Sequence, residues 1–398
     1  MVVASRNNDI CLKYLSNAGL LDCSLNTVSE TNLFANRPWC FAPFQALPLG
    51  PRLSRQHQPI CYNKHRFNAC FQLKIQLLQP NFDCISASDP LVVNMVVTKE
   101  GIELVAKEVL RWPERRKWNA RDKDMRFKAC FGASTEIVAD IWNRIVARGP
   151  IEESGGEPKH LLWALVHLKV YSTVETHCAL VGWPSGKTFS KWSWYFVKRI
   201  AELKDDLISL DNRFGGLDGE AHTNCFMSVD GTDCPIYEPW PFNPKMYSEK
   251  FNGPAVKYEL GVCLKTGWIV WVNGPFRGGL GDKTIFKDGL ATLLFEEEGV
   301  EVDKGYTGDD RFKTPGIGLT SQKRKMKSNA RSQHEAVNGR LKQFNVLSTH
   351  FRHMKPNKEV MMQKHKLCFH AVVVITQLKF QSGATVFADQ LDYDVHYF

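Results

Sequence analysis

The sequence lacks any apolar run approaching the ~20 residues that a membrane helix needs. Its longest, around Val372–Ile375, is short, so no membrane association is expected. It lacks a CxxC pair although it holds 12 cysteines, which argues against a closed structural zinc site. Its start passes from Met1–Arg6 into Asn7, Asn8 and Asp9 rather than into an apolar secretory stretch. Reduced thiols are therefore expected, not a disulfide framework. Internal repeats and low-complexity tracts are missing too. Charge bias is small: 51 Lys and Arg face 42 Asp and Glu, for a formal charge of +9. That balance permits an anionic partner without naming one. With 43% hydrophobic and 23% charged residues, the composition is globular and excludes wholesale disorder. The 398 residues are enough for two or three domains.

Residues 1–92 carry no sustained helical or strand period, and Pro38, Pro43, Pro48, Pro51 and Pro59 interrupt them. Such a stretch seldom buries enough surface to fold, and a poorly ordered leader without a legible role is expected. Order begins near residue 95. Ser134 is placed as an N-cap, with Glu136 in the first turn, where negative charge meets the positive helix end. Ile137, Val138, Ile141, Trp142, Ile145 and Val146 follow at one-face spacing, and Gly149–Pro150 stops the helix. A second apolar helix runs from about Lys159 to Val170. Thr173 then caps a short helix through Leu180, Gly182 turns the chain, and Pro184–Ser185 opens another helix. Phe189, Trp192, Phe196 and Ile200 form the stripe it buries. Lys187, Lys191 and Lys198 lie on another face, which suits either a recognition helix against phosphates or a solvated face of a bundle helix.

From Asn224 the texture changes to strands. CFMSVDGTDCPI reads as an apolar strand ending in an acidic turn. YELGVCL and WIVWVNG flank Lys265–Gly267 as a hairpin. After the glycine-rich GPFRGGLGD come a helix from about Lys283 to Glu298, a strand GVEVD, and a helix over ARSQHEAVNGRLKQF. This order predicts an α/β architecture with a mixed sheet. Asp230 and Asp303 fall at strand ends, where α/β folds open a crevice, and Glu335 falls on the following helix. Three convergent carboxylates would offer hard oxygen ligands to Mg²⁺ or Mn²⁺, and two such ions can promote phosphodiester cleavage. Each acid also has a local use. Asp230 can bond within its turn, with Asp233 as a rival ligand. Asp303 can do the same before Gly305, with Asp309 or Asp310 as weaker substitutes. Glu335 can pair with Arg331 one helical turn back.

MSVDGTDCPI, GPFRGGLGDKTIF, VDKGYTG and ARSQHEAVNGRLKQF occur in that order. Together they resemble the DDE catalytic domain of the PIF/Harbinger superfamily of DNA transposases. The segments FGAST, KHLLWALVHLKVY and the Trp-containing helix after Gly182 resemble the helical region that precedes this domain in relatives. In those relatives the glycine-rich loop often ends in His-Asp; here it reads Gly281–Asp282. The resemblance implies an RNase H-like mixed sheet flanked by helices, preceded by an all-helical, helix-turn-helix-like domain. The expected division is a leader at 1–92, a helical DNA-binding region at 93–215, an RNase H-like DDE nuclease domain at 216–385 and a tail at 386–398.

It further implies a transposase whose triad is Asp230, Asp303 and Glu335, holding two Mg²⁺ or Mn²⁺ ions. Such an enzyme cuts phosphodiester bonds at transposon ends and passes the freed 3′ hydroxyl to target DNA. Lys187, Lys191, Lys198, Lys323, Arg324, Lys325, Arg340 and Lys342 are the expected DNA contacts, with Lys327 beside them. The run before the Glu335 helix reads equally as a solvated loop or a nuclear-import signal, and a nuclear location is expected. A Myb-like accessory protein and a homo-oligomer are the implied partners besides DNA. Two other readings stay open: a domesticated, catalytically silent DNA-binding protein derived from a transposase, and another metal-dependent hydrolase of small substrates.

Overall fold

The structure, a computed structural model, describes residues 96–113, 118–151, 155–216, 224–239, 241–303, 305–306, 308–314, 320–352 and 358–384. The expected leader and tail lie outside them. Helices come first: α1 (Lys99–Val109), α2 (Ala120–Phe131), α3 (Thr135–Arg148), α4 (Pro158–Val170), α5 (Val174–Leu180), α6 (Gly186–Glu202) and the short α7 (Lys204–Leu207). α3 starts after Ser134, whose side chain makes no capping bond. At its other end Arg199 donates to the carbonyls of Ile145 and Gly149, at 3.0 and 3.1 Å, and so satisfies acceptors that the helix leaves open. Thr173 and Ser185 cap α5 and α6 by accepting from the backbone N–H groups of Thr176 and Thr188. Phe189, Trp192, Phe196 and Ile200 are all buried. At ~1.5–3 kcal/mol for each large side chain against about 1 for a cap, that stripe is what fixes α6.

The second half alternates strand and helix: β1 (Cys225–Pro235), β2 (Tyr247–Ser248), β3 (Gly253–Cys263), β4 (Ile269–Arg277), α8 (Asp282–Asp288), β5 (Gly299–Val302), β6 (Phe312–Lys313), α9 (Ser321–Leu341), α10 (Asn345–Ser348) and α11 (Lys358–Gln381). The sheet runs β2-β3-β1-β5-β6, with β4 pairing the other side of β3. β1–β3 and β3–β4 are antiparallel, whereas β1–β5 and β5–β6 are parallel. This is the mixed sheet that the element order predicts, flanked by helices.

Three boundaries differ from expectation. β1 does not end at Asp230 but continues to Pro235, because β3 supplies an antiparallel partner as far as Pro235↔Ala255. The helix expected to reach Glu298 stops at Asp288, where Gly289 leaves the helical region (φ −119°, ψ −97°). The Glu335 helix begins at Ser321, so the basic run before Ala330 is helical and not a loop. Its Gln, Lys, Arg and Met residues are good helix formers.

Two apolar layers hold the sheet. One face carries Met227, Val229, Val300 and Val302 against Phe286, Leu290, Tyr306 and Phe312. The other joins the helices in a continuous core that includes Tyr258, Leu260, Phe196, Ile141 and much of α11. Ala371–Ile375 of α11 are wholly buried, which explains an apolar run with no amphipathic face. Gln377 pins α11 to β4 by accepting from the backbone N–H of Ile269 at 2.9 Å. Among the described residues, no helix is long and apolar enough to cross a membrane.

Candidate active site

Side chains alternate along β1, so Ser228 and Asp230 point to the α9 side while Met227, Val229 and Gly231 point to α8. β5 runs parallel to β1 in a register that sets Ser228 opposite Glu301 and Val229 opposite Val302. Asp230 is the next residue of β1, and Asp303 is the first residue past the end of β5. Neighbouring strands lie ~4.8 Å apart, and both acids line the same cleft. The site lies where parallel pairing of β1 and β5 ends, although β1 itself goes on along β3.

α9 is fastened across that face by two polar contacts. Lys327 reaches both oxygens of Glu301, at 2.7 and 2.8 Å, and the Ser228 hydroxyl bonds His334 Nδ1 at 2.9 Å. Both Glu301 and His334 are buried. Burial raises the Glu301 carboxyl against the pull of Lys327, and burial lowers the His334 imidazole, with Asp230 acting in the other direction. Ala330, Val337 and Leu341 complete the buried side of α9. Glu335, next to His334, thereby comes to the rim of a cleft of about 410 Å³ lined by Asp230, Asp303, Glu335, Lys250, Arg331 and Lys342 among others. All three expected acids line this one cleft.

Cations answer these acids. Lys250 Nζ stands 3.5 Å from Asp230 Oδ1 and donates to the Gly231 carbonyl at 3.2 Å. Burial opposes the Lys250 charge, but Asp230, Asp282 and Asp233 prevail and hold its pKa above the usual lysine value. Arg331 Nε donates to Glu335 Oε1 at 2.9 Å. The local uses foreseen for the acids also occur. The Gly231 N–H donates to Asp230 Oδ1 at 2.8 Å, and the Tyr306 N–H to the Asp303 carbonyl at 3.0 Å. The Arg331–Glu335 pair has side chains 59% and 62% exposed, so parting it costs about 1 kcal/mol or less.

Two of the rival acids have partners of their own, although Asp233 also lines the cleft. Asp233, three residues beyond Asp230 and so on the opposite face of β1, accepts from the Ser248 hydroxyl at 2.9 Å. Asp309 pairs with Arg311 at 3.2 Å. Behind β1, Lys257 bridges Asp282 at 2.9 Å, and Trp271 Nε1 donates to Glu259 at 2.8 Å. Burial pushes Glu259 up to about 7.

Among the described residues, no three His, Cys, Asp or Glu side chains already enclose a metal-sized point. The donor set nonetheless fits divalent metal. Two carboxylates in register and a third across the cleft are hard oxygen ligands, and an ammonium and a guanidinium are already drawn to them.

The expected DNA contacts divide. Lys342 lines the cleft. Arg340 turns away from it and lies 5.4 Å over the Phe380 ring. Arg324 and Lys325 are exposed on the first turns of α9, and the Lys323 side chain is outside the description. Lys187, Lys191 and Lys198 are exposed on α6, away from the cleft. Lys191 sits 5.0 Å over Trp192 and Lys198 lies 3.8 Å from Glu202. Sequence reasoning missed Lys250 and His334. Lys327, Arg331, Glu335, Asn338 and Lys342 do fall at helical spacing, a signal that the reading of a loop concealed.

Residues 229–377 match the family model described as DDE superfamily endonuclease, a span that opens one residue before Asp230 and closes within α11. No curated protein and no solved structure matches the chain. The matched span holds most of β1, all of β5 and α9, and all three acids of the cleft, so this part of the chain is similar to the DDE superfamily endonucleases.

Proposed function

We propose that the chain is a transposase of the PIF/Harbinger type. In this reading an RNase H-like domain at 216–385 cuts DNA at transposon ends and joins the freed 3′ hydroxyl to a target. The observation that supports it is one cleft lined by Asp230, Asp303 and Glu335, the first two each following a residue of the paired Val229 and Val302. These three would hold two divalent ions, Mg²⁺ or Mn²⁺. When bound, such ions supply water activation and charge stabilisation on the leaving oxygen.

The chain's own groups do the rest. Asp230 and Asp303 are fixed by the sheet and need little reorganisation, while Glu335 comes from α9 after parting from Arg331. Released from Glu335, Arg331 faces the entering phosphate together with Lys250 and Lys342, and neutralises charge that grows during displacement. The Glu301–Lys327 and Ser228–His334 contacts keep α9 at its distance from the strands, which preserves alignment.

The helices at 93–215 are read as a helix-turn-helix-like region, with Lys187, Lys191 and Lys198 toward DNA phosphates. Lys323, Arg324 and Lys325 extend the positive surface along α9. A nuclear location, a Myb-like accessory protein and assembly into a homo-oligomer complete the proposal. The test is Mn²⁺ titration by calorimetry of wild type and Asp303→Asn, followed by cleavage of transposon-end DNA. Binding that disappears in the variant is expected. A folded wild type that binds no Mn²⁺ even with DNA present would instead leave a catalytically silent DNA-binding protein.

A further inference from the structure

A second concentration of positive charge lies away from the cleft, where α2, α4, α9 and α11 meet. Lys169 Nζ stands 5.6 Å, and Lys379 Nζ 5.1 Å, from the centre of one ring, Phe344. Lys169 also donates to the Gln343 carbonyl at 2.7 Å. Arg340 stacks beside them on Phe380. The platform is rigid. Phe344 is fully buried, and its ring lies where a Cβ on Gly132 would come within 2.4 Å, at φ +75°. Only glycine permits that approach.

The two ammonium groups find no carboxylate among the described residues. Neither Lys169 nor Lys379 has one within 4.0 Å, and no carboxylate acts on either charge. Burial pushes the Lys379 ammonium down to about 8, with Lys169, Arg340 and Lys128 adding to the effect. Burial lowers Lys169 too, with only Cys130 acting against it. Lys128 is peripheral and already paired with Asp124 at 2.6 Å. Each cation–π contact returns only ~0.5–1 kcal/mol at a partly exposed site. Gathering half-buried like charges around one buried ring is therefore poor design for folding alone, and it suits an anion that supplies the missing charge.

We propose that Lys169, Arg340 and Lys379 form a second anion site that grips a backbone phosphate of DNA lying across the molecule. A phosphodiester brings one negative charge and free oxygens that accept from ammonium and guanidinium donors. Arg340 follows Glu335 by five residues on α9, about 7.5 Å along the axis. The same five residues turn Arg340 about 140° around the axis, so the two sites flank α9, and a duplex laid along that helix meets both flanks. The proposal rests on the DNA-processing reading and deepens it: this site contributes grip without sequence and takes no part in the chemistry.

The test uses the full chain and a short duplex of arbitrary sequence, titrated across a series of NaCl concentrations. For Lys169→Gln with Lys379→Gln, the slope of log affinity against log salt should become shallower by about one, the loss of one phosphate contact. Mn²⁺ binding should stay at the wild-type level. Lys379→Arg should keep the wild-type slope. If the double variant unfolds, Lys379→Met, which keeps an apolar stem against Phe344, gives the same reading. An unchanged slope in a folded variant overturns the site and leaves the cleft reading intact, and an acidic protein then becomes the better occupant. A wild type that binds no duplex at low salt overturns the site together with the DNA reading. Asp303→Asn separates the two: it should lose Mn²⁺ and keep the salt slope.

Discussion

Asp230 in β1 and Asp303 just past the end of β5 each follow the last residue of a parallel pair, Val229 and Val302. That register brings the two acids to one cleft. Two like charges this close repel one another. The cleft answers with Lys250 on Asp230 and Arg331 on Glu335, ion pairs that a bound metal would have to part.

Asp303→Asn should therefore weaken Mn²⁺ binding by at least the ~10–100-fold that loss of an outer-shell partner costs, because Asp303 would be a direct ligand. The same change removes one of two adjacent negative charges, so thermal stability without metal should stay level or rise. Calorimetry and a melting curve check both. A variant that binds Mn²⁺ like wild type would remove Asp303 from the site.

Lys250→Gln separates competition from catalysis. Lys250 occupies the oxygen that a cation would take, so Mn²⁺ affinity should rise a few-fold in the variant. Cleavage should nevertheless fall, because a charge that meets the DNA phosphate is gone. Stability should change by no more than ~1 kcal/mol, since the Lys250 side chain is 59% exposed and exposed ion pairs contribute little. Metal titration and cleavage assays moving in the same direction would contradict this assignment.

Much of this arrangement is legible in the sequence, for identifiable reasons. VDGT and DKGY each put an acid just after a short β-forming run, so the strands and their polarity could be read without knowing the register. Lys250 could not: it lies 20 residues from Asp230, in a connection with no hydrophobic period. The start of α9 was hidden because SQKRKMKSN has a single apolar residue, Met326, too few to set a period. What orders it is a tertiary contact, Lys327 on Glu301. α11 was obscure for the opposite reason, since a helix buried on all sides loses its amphipathic signature.

Gly231 carries a steric prediction. On the face of β1 away from Asp230, a Cβ at this position would stand 2.7 Å from Asp282 Oδ1, and that carboxylate is held by Lys257. Gly231→Ala should cost about 1–3 kcal/mol as overpacking. It should also lower cleavage, because the strain falls next to Asp230. Urea unfolding and a cleavage assay check the pair of effects. Adding Asp282→Ala should recover part of the stability by clearing the space.

Glu259 supplies a pH dependence whose sign can be worked out. It is buried behind β1, with one oxygen bonded to Trp271 and the other lacking a hydrogen-bond partner. Burial raises its carboxyl from 4.5 to about 7. Between those values the folded chain holds a proton that the unfolded chain has released, so stability falls as pH rises through the window and levels off above it. The loss is of order 3 kcal/mol. Glu259→Gln keeps the shape, accepts from Trp271 and cannot ionise. It should flatten this segment of the stability curve and leave the variant more stable than wild type at pH 8. Urea unfolding of both proteins at pH 5 and pH 8 decides the matter: equal pH slopes for the two would mean that Glu259 stays ionised in the fold.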